Sequence, residues 1–382
     1  MNNSQQELIE AAREAADGVA RTVDRKYILD AYWNGDGMSR LWKSMAEQGI
    51  LGLGVPEEHG GNGGGLTAQV AANEALARAG VSTTLYVVTA LTRATLIENA
   101  TKDQIARLVL PTINGDKKFC LAMTEPDAGT NSFKISTRAT QQQDGSYRIS
   151  GQKVYITGVD QAELMMIVAK CEKPDGSDEL GLFVVDLPAE GIELQKLNML
   201  TFDPESQFTV FFDDVHVPAD NRIGQVGEGT SALFTALNPE RYMVAAAAIG
   251  TGLRALDMGV KYAKERSPFS APIGSYQSIQ HPMAKARAHL DAAQLMMYEG
   301  CAEFDAGIND GARANMTKYL ASDAADLAVD AAMQAHGGSA FDLDTDIITL
   351  WPKVRSTRIA PVNNEMTLNY IAERVLGLPK SY

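Results

Sequence analysis

The sequence predicts an α+β chain in three sections, helical, then β, then helical. Three observations carry this. Apolar residues recur at helical spacing through roughly the first 115 positions. From Lys118 to about Val226, short runs rich in β-branched and aromatic residues alternate with turn signals. Helical spacing then returns and continues toward the end. The resulting divisions are an N-terminal α-helical domain over 1–117, a middle antiparallel β domain over 118–226 and a C-terminal α-helical bundle over 227–382.

In the first section, Ser4-Gln5-Gln6-Glu7 reads as a capping box. It opens a helix that carries Leu8, Ala12, Ala15 and Val19. Further helices are expected near Met38 to Gln48, Ala68 to Ala79 and Leu85 to Val109. The glycine run from Gly60 to Gly65 lacks the Lys-Ser/Thr of a phosphate loop and reads as a turn between helices. In the second section, strands are expected at Tyr147 to Ile149, Lys153 to Thr157, Leu164 to Ala169, Leu182 to Val185 and Phe208 to Phe212. Asp144-Gly145, Gly151, Pro174-Asp175-Gly176 and Asp203-Pro204 punctuate them. This is the pattern of an antiparallel sandwich or barrel. In the third section, Asn238-Pro239-Glu240-Arg241 reads as a helix start, with Asn238 as N-cap and Pro239 first in the helix. Leu253, Leu256, Val260 and Ala263 follow at 3,4,3 spacing. Helices from Ser278 to Phe304 and from Ala312 to Ala335 come next, the latter stopped by Gly337-Gly338. A last helix carries Leu368, Ile371 and Val375.

Composition narrows the function. The chain has 382 residues, 45% of them hydrophobic and 21% charged, enough for two or three domains with a large core. A net charge of −14 argues against nucleic acid and anionic membranes as partners. An anionic ligand must therefore bind at local positive sites. No apolar run of spanning length stands out, so no membrane helix is expected. The N-terminus lacks the basic start and apolar core of a secretory signal. Cys120, Cys171 and Cys301 are odd in number and far apart, which points to a reducing, cytoplasmic setting without disulfides. The five histidines form no HExxH, so no metal is expected.

The stretch Phe119 to Ser132, FCLAMTEPDAGTNS, breaks the local rhythm. Phe119, Leu121 and Met123 alternate as in a strand, and then Thr124 to Gly129 turn the chain toward Thr130, Asn131 and Ser132. By spacing alone this is an ordinary turn. A strand ending in hydroxyls and free backbone N–H groups also suits a flat polar ring or a phosphate. The stretch closely resembles the flavin-binding signature of acyl-CoA dehydrogenases, YCxTEPGAGS. Asp127 stands where that family usually has Gly, and Thr130 where it usually has Ser. Lys153-Val154-Tyr155-Ile156-Thr157-Gly158 is similar to the family's KxWITN strand, with Tyr155 for Trp. Glu265-Arg266-Ser267-Pro268-Phe269 looks like ERxxFG, followed by Tyr276-Gln277. Gln334-Ala335-His336-Gly337-Gly338 resembles QxxGG, and Asn363-Asn364-Glu365 stands in the place of TNE. Five motifs in the right order with the right separations cover nearly the whole chain.

The resemblance implies an FAD-dependent acyl-CoA dehydrogenase. It implies cofactor contacts at Met123, Thr124, Thr130, Tyr155, Ile156 and Thr157, with Tyr155 stacking on the isoalloxazine and Thr157 near N5. It further implies cofactor contacts at Arg266, Phe269, Gln277, Gln334, Gly337, Gly338, Asn363 and Glu365, of which Arg266 reaches the pyrophosphate in a neighbouring subunit. Substrate contacts are implied at Thr130, Asn238 and Arg241. Plainer readings coexist: Arg266 compensates a helix dipole, and Gly337-Gly338 caps a helix.

One position departs from the family. Many members carry their catalytic Glu two residues before TNE, and that register holds Pro361 here. A subset places the Glu on the helix after the β domain, and Glu240 fits that arrangement. The plainer reading is that Glu240 complements the helix dipole. With Pro361 at the other position, Glu240 is the expected base. Expected partners are an acyl-CoA substrate, an electron-transfer flavoprotein and further copies of the chain in a homotetramer or homodimer. A chain ending soon after its last helix is expected to lack the extra C-terminal domain of longer members. An enoyl-CoA reductase, an acyl-CoA oxidase or a non-catalytic flavin- or acyl-CoA-binding subunit are the alternatives on this fold.

Overall fold

The computed structural model describes residues 3–35, 37–173, 175–226 and 228–380. The first section comprises α1 (Asn3–Thr22), α2 (Arg25–Asn34), α3 (Ser39–Glu47), α4 (Gly65–Ala79), α5 (Thr84–Asn99), α6 (Lys102–Leu108) and α7 (Leu110–Ile113). α1 already runs from Asn3, so Ser4 lies inside it and not at its cap. The helical pattern expected from Leu85 to Val109 is divided between two helices, α5 and α6. Thr101 and Gln104 form a reciprocal capping box that starts α6 afresh after Ala100. The glycine run is a tight turn closed by the Gly54 N–H donating to the Gly63 carbonyl at 2.7 Å. Gly63, Gly64 and Gly65 all take positive φ, which side chains disfavour. The run is therefore explained by its backbone.

The middle section holds β1 (Phe119–Ala122), β2 (Arg138–Gln141), β3 (Tyr147–Thr157), β4 (Leu164–Glu172), β5 (Asp178–Asp186), β6 (Ile192–Leu197), β7 (Gln207–Val217) and β8 (Arg222–Ile223). They form one eight-stranded sheet ordered β6-β7-β3-β2-β4-β5-β8, with β1 paired to β4 off this path. The sheet is mixed and not purely antiparallel: β1 and β2 both run parallel to β4. Hairpins impose antiparallel pairing, whereas β1 enters from the helical section and reaches β4 only after a long crossover, which permits a parallel pair. β4 is buried from Leu164 through Ala169. Met165, Ile167 and Ala169 enter one hydrophobic core, and Leu164, Met166 and Val168 enter a second on the opposite face. Period-two alternation thus serves two cores. α5 seats on β1 through the Thr89 hydroxyl, which accepts the Phe119 N–H at 3.1 Å.

The last section comprises α8 (Gly229–Thr235), α9 (Leu237–Glu265), α10 (Gln277–Asp305), α11 (Gly311–His336), α12 (Ile347–Thr357) and α13 (Asn364–Tyr370), with a π-helical turn over Ile371–Val375. α9 does not start at Asn238. It begins at Leu237, one residue after α8, and the Glu240 N–H already donates to the Ala236 carbonyl. Asn238 is therefore no cap, and Glu240 sits fourth in the helix. The reason is tertiary: Ala232 and Leu233 of α8 are buried in the second core, which holds a helix ahead of the Asn-Pro signal. The helical run Gly229–Glu265 is long and apolar enough, by length and composition, to cross a membrane. That departs from the expectation of no such run. Two-thirds of its most apolar window is buried inside the protein, as in the central helix of a bundle. α9 and α11 meet along Gly- and Ala-rich faces, and all three cysteines are free and buried.

Candidate active site

The β side of the site is built where β1 ends beside the end of β3. The Val154 N–H donates to the Thr124 carbonyl at 2.9 Å, drawing the two segments together. The β3–β7 register slips between Lys153 and Ile156. Within that slip, Tyr155 takes φ +59°, a conformation uncommon for a non-glycine residue. The consequence is an aromatic ring 59% exposed at a defined place on the sheet. Ile156 points into the core, so only its backbone remains for a ligand. The Thr157 hydroxyl accepts from Gln207 Nε2 at 2.9 Å. Met123 and Thr124 are half-buried, and Thr130 is exposed. Among the described residues, the Thr124 N–H has no acceptor.

Beneath this surface lies a buried ion pair. Lys153 Nζ is 2.9 Å from Glu125 Oε1, and the two side chains are 0% and 3% exposed. Burial alone would raise the Glu125 carboxyl. The donors Ser136, Thr137 and Lys153 outweigh it and bring the pKa down to about 2. Burial lowers Lys153 to about 8 against the opposing pull of Glu125. Both groups are therefore charged at neutral pH.

The helical side gathers around the start of α9. Glu240 is half-buried, and its carboxylate has no hydrogen-bond or ion-pair partner among the described residues. Burial pushes its carboxyl up to about 7, opposed by neighbouring Arg241. Arg241 Nη1 donates to Asn238 Oδ1 at 2.9 Å, and Asn238 Nδ2 donates to Asn309 Oδ1 at 2.6 Å. Asn363 joins the two sides. Its Oδ1 accepts the Met366 N–H as the cap of α13, and its Nδ2 donates to Thr130 Oγ1 at 3.2 Å. Buried Lys318 holds this segment from behind, donating to the Val362 carbonyl at 2.6 Å and to Asn364 Oδ1 at 2.8 Å. Burial lowers Lys318 to about 8, with Arg241 adding to the shift and Glu365 opposing it.

The remaining motif residues lie elsewhere. Arg266, Phe269 and Gln277 follow the C-terminus of α9, and Gln334, Gly337 and Gly338 end α11. Tyr262 stacks on His336 with ring centroids 4.3 Å apart, so these helix ends share one end of the bundle. Phe269 is 78% exposed, and Arg266, Gln277 and Gln334 are exposed too. The Gly337 N–H does cap α11, bonding to the Gln334 and Met333 carbonyls. At 1.5 Å per residue, about 39 Å of helix separates Glu240 from Arg266. One chain therefore does not bring its two groups of motif residues together.

The sequence reading missed Lys318, Gln207, Asn309 and the Glu125–Lys153 pair. A signal existed for Lys318, a long cation at helical spacing among the buried Ala314, Ala321 and Ala325. Gln207 and Asn309 carried none.

An exposed aromatic face, an unpaired N–H and hydroxyls at a strand end suit a flavin ring, and an unpaired, desolvated carboxylate suits proton abstraction. Fold and site together define a flavin-dependent oxidoreductase. Three domain models of one family match the chain in order: acyl-CoA dehydrogenase N-terminal domain over residues 2–116, middle domain over 120–215 and C-terminal domain over 227–376. An acyl-CoA dehydrogenase of Mycobacterium tuberculosis, FadE12, is 39% identical over 98% of this chain and 97% of its own. The caffeyl-CoA reductase-Etf complex subunit CarC of Acetobacterium woodii is 32% identical over 86% of this chain and 87% of its own. The structure of butyryl-CoA dehydrogenase from Megasphaera elsdenii superposes with a TM-score of 0.89 at 26% identity, covering 98% of this chain and 99% of that one. The chain belongs to the acyl-CoA dehydrogenase family, whose members are FAD-dependent oxidoreductases.

Proposed function

We propose that this protein oxidises the α,β bond of an acyl-CoA thioester with Glu240 as the base, and passes the electrons to an electron-transfer flavoprotein. The observation that carries this is Glu240 itself, a desolvated carboxylate without a partner, raised to about 7, in a chain with Pro361 at the alternative position. Bound FAD supplies the acceptor for the hydride that leaves the β-carbon. Glu240 takes the α-proton, and its partial burial matches its basicity to the task. Tyr155 offers the ring a stacking face, with Thr157 beside it. Asn238 and Arg241 orient the substrate next to the base. Pro361 has no N–H, so the thioester oxygen needs another donor. A flavin ribityl hydroxyl, or the Val362 N–H after a small shift, would supply it; the Val362 N–H has no acceptor among the described residues. The likeness to a subunit of an Etf complex supports the electron acceptor. The three free cysteines support a cytoplasmic location.

Arg266, Phe269, Gln277 and the end of α11 act on a flavin held by another copy of the chain, in a homodimer or homotetramer. The support is the distance between the two groups within one chain. Arg266→Ala should therefore lower FAD retention and weaken the oligomer together, because a ligand shared between subunits stabilises the assembly. Light scattering with flavin absorbance checks this, and a fully flavinated monomer would refute it.

The likeness to a caffeyl-CoA reductase subunit favours one second reading, reduction of an enoyl-CoA on the same residues. A panel of acyl-CoA esters added anaerobically to the yellow protein separates the two. Bleaching by a saturated ester supports the dehydrogenase. Reduced protein that regains colour only with enoyl esters supports the reductase. Bleaching followed by peroxide formation in air marks an oxidase, and colour that no ester moves marks a non-catalytic subunit.

A further inference from the structure

A buried ion pair costs desolvation on both sides, and apolar replacements are often neutral or stabilising. The value of Lys153–Glu125 therefore has to be sought in what it holds in place. Lys153 Nζ makes two contacts, Glu125 Oε1 at 2.9 Å and the Met123 carbonyl at 2.9 Å. The second is decisive. The Met123 carbonyl and the Thr124 N–H belong to one planar trans peptide and point in opposite directions. A buried ammonium that draws the carbonyl inward turns the N–H outward. That N–H is the one without an acceptor among the described residues, and it lies where Thr124 is tied to Val154, next to exposed Tyr155.

Glu125 fixes the other side of the same turn. Its Oε2 accepts the Ser136 N–H at 2.6 Å and the Ser136 hydroxyl at 2.7 Å. Its Oε1 accepts the Thr137 N–H at 2.9 Å. Glu125 and Ala128 exchange both backbone hydrogen bonds, closing the turn that leads to Thr130. The ion pair thus locks one peptide of β1's exit between a buried cation and a closed turn.

We infer that Lys153, braced by Glu125, is a positioning residue for the flavin ring: it orients the Met123–Thr124 peptide so that the Thr124 N–H meets an acceptor atom on the ring's polar edge. This rests on the reading that FAD lies against Tyr155 and Thr157. Lys153 does not touch the cofactor and acts through the peptide it holds.

The test uses the full-length apoprotein and compares FAD with ADP, which lacks the ring. Lys153→Met should bind FAD about tenfold more weakly, the size of one lost hydrogen bond. The absorption bands of the flavin that does bind should shift, and ADP affinity should stay at the parental value. Because a lone buried Glu125 threatens folding, the double variant Glu125→Leu/Lys153→Met accompanies it. If the pair positions the peptide, the double variant regains thermal stability yet keeps the FAD defect and the altered spectrum. Parental FAD affinity with the parental spectrum in the double variant overturns the assignment. So does an equal loss of FAD and ADP, which marks a collapsed domain. A parent protein that binds ADP but no FAD would instead overturn the underlying reading of the site, and this proposal with it.

Discussion

Glu240→Gln should slow flavin reduction by an acyl-CoA ester at least ~10²-fold, with FAD and acyl-CoA still bound. The substitution keeps size and polarity and removes only the charge with which Glu240, as the proposed base, would take the α-proton. The deficit should appear in single-turnover stopped flow, since the proton leaves in the reductive half-reaction. In the parent, the reduction rate should rise with pH through a midpoint near about 7, where burial places the carboxyl. The same shift makes a stability statement. A carboxyl with a raised folded pKa binds more protons folded than unfolded between about 4.5 and 7. Its contribution is complete below about 4.5 and is lost as pH rises through 7. With each unit worth 1.36 kcal/mol and Glu240 only half-buried, the loss is on the order of 1–3 kcal/mol. Glu240→Gln should remove that loss and be more stable than the parent at pH 8, in urea titrations at fixed FAD. A variant reduced at close to the parental rate would show that Glu240 is not the base. Glu365→Gln, exposed on α13 and expected at the cofactor, should weaken FAD binding but, with FAD saturating, should not reproduce the slow reduction.

Gly250→Ala should destabilise the protein although it improves helix propensity. Gly250 is where α9 meets α4. An added Cβ would lie 2.2 Å from the Glu74 carbonyl oxygen, 2.9 Å from the Arg78 nitrogen and 2.8 Å from the Ala77 Cβ. Alanine gains about 1 kcal/mol in a helix interior. Overpacking costs about 1–3 kcal/mol or more, and backbone atoms cannot rotate aside. The expected net is a loss of up to about 2 kcal/mol, read as a lower urea midpoint. The same strain reaches Glu74, which accepts from Tyr298 at 2.9 Å and Gln294 at 2.7 Å and so ties α4 to α10. A midpoint equal to or above the parental one would mean that the two helices separate without cost.

The α–β–α order was legible because periodicity reports burial, and burial dominates both ends of the chain. α10 (Gln277–Asp305) and α11 (Gly311–His336) start and stop within a residue of the expected positions, since their apolar stripes are long. Short-range signals fared worse. Asn238-Pro239 is a good helix start that lies inside a helical run, because α8 is held in place by a core the local sequence does not contain. Strand direction was illegible for β1 and β2. An alternating pattern is the same in parallel and antiparallel ladders, and only the crossover decides.

By itself the sequence determined which chemical groups are available and in what order: a carboxylate at 240, a proline at 361, an aromatic at 155 and the signature turn from Thr124 to Thr130. Those follow from residue identity and spacing. Tertiary structure alone decided what the groups can do. It desolvated Glu240, because burial depends on residues distant in the chain. It turned Tyr155 outward through a strand slip and locked the peptide beside it with a buried pair 28 residues apart. It also set two groups of motif residues at opposite ends of one long helix, a separation that follows from helical rise and not from residue type.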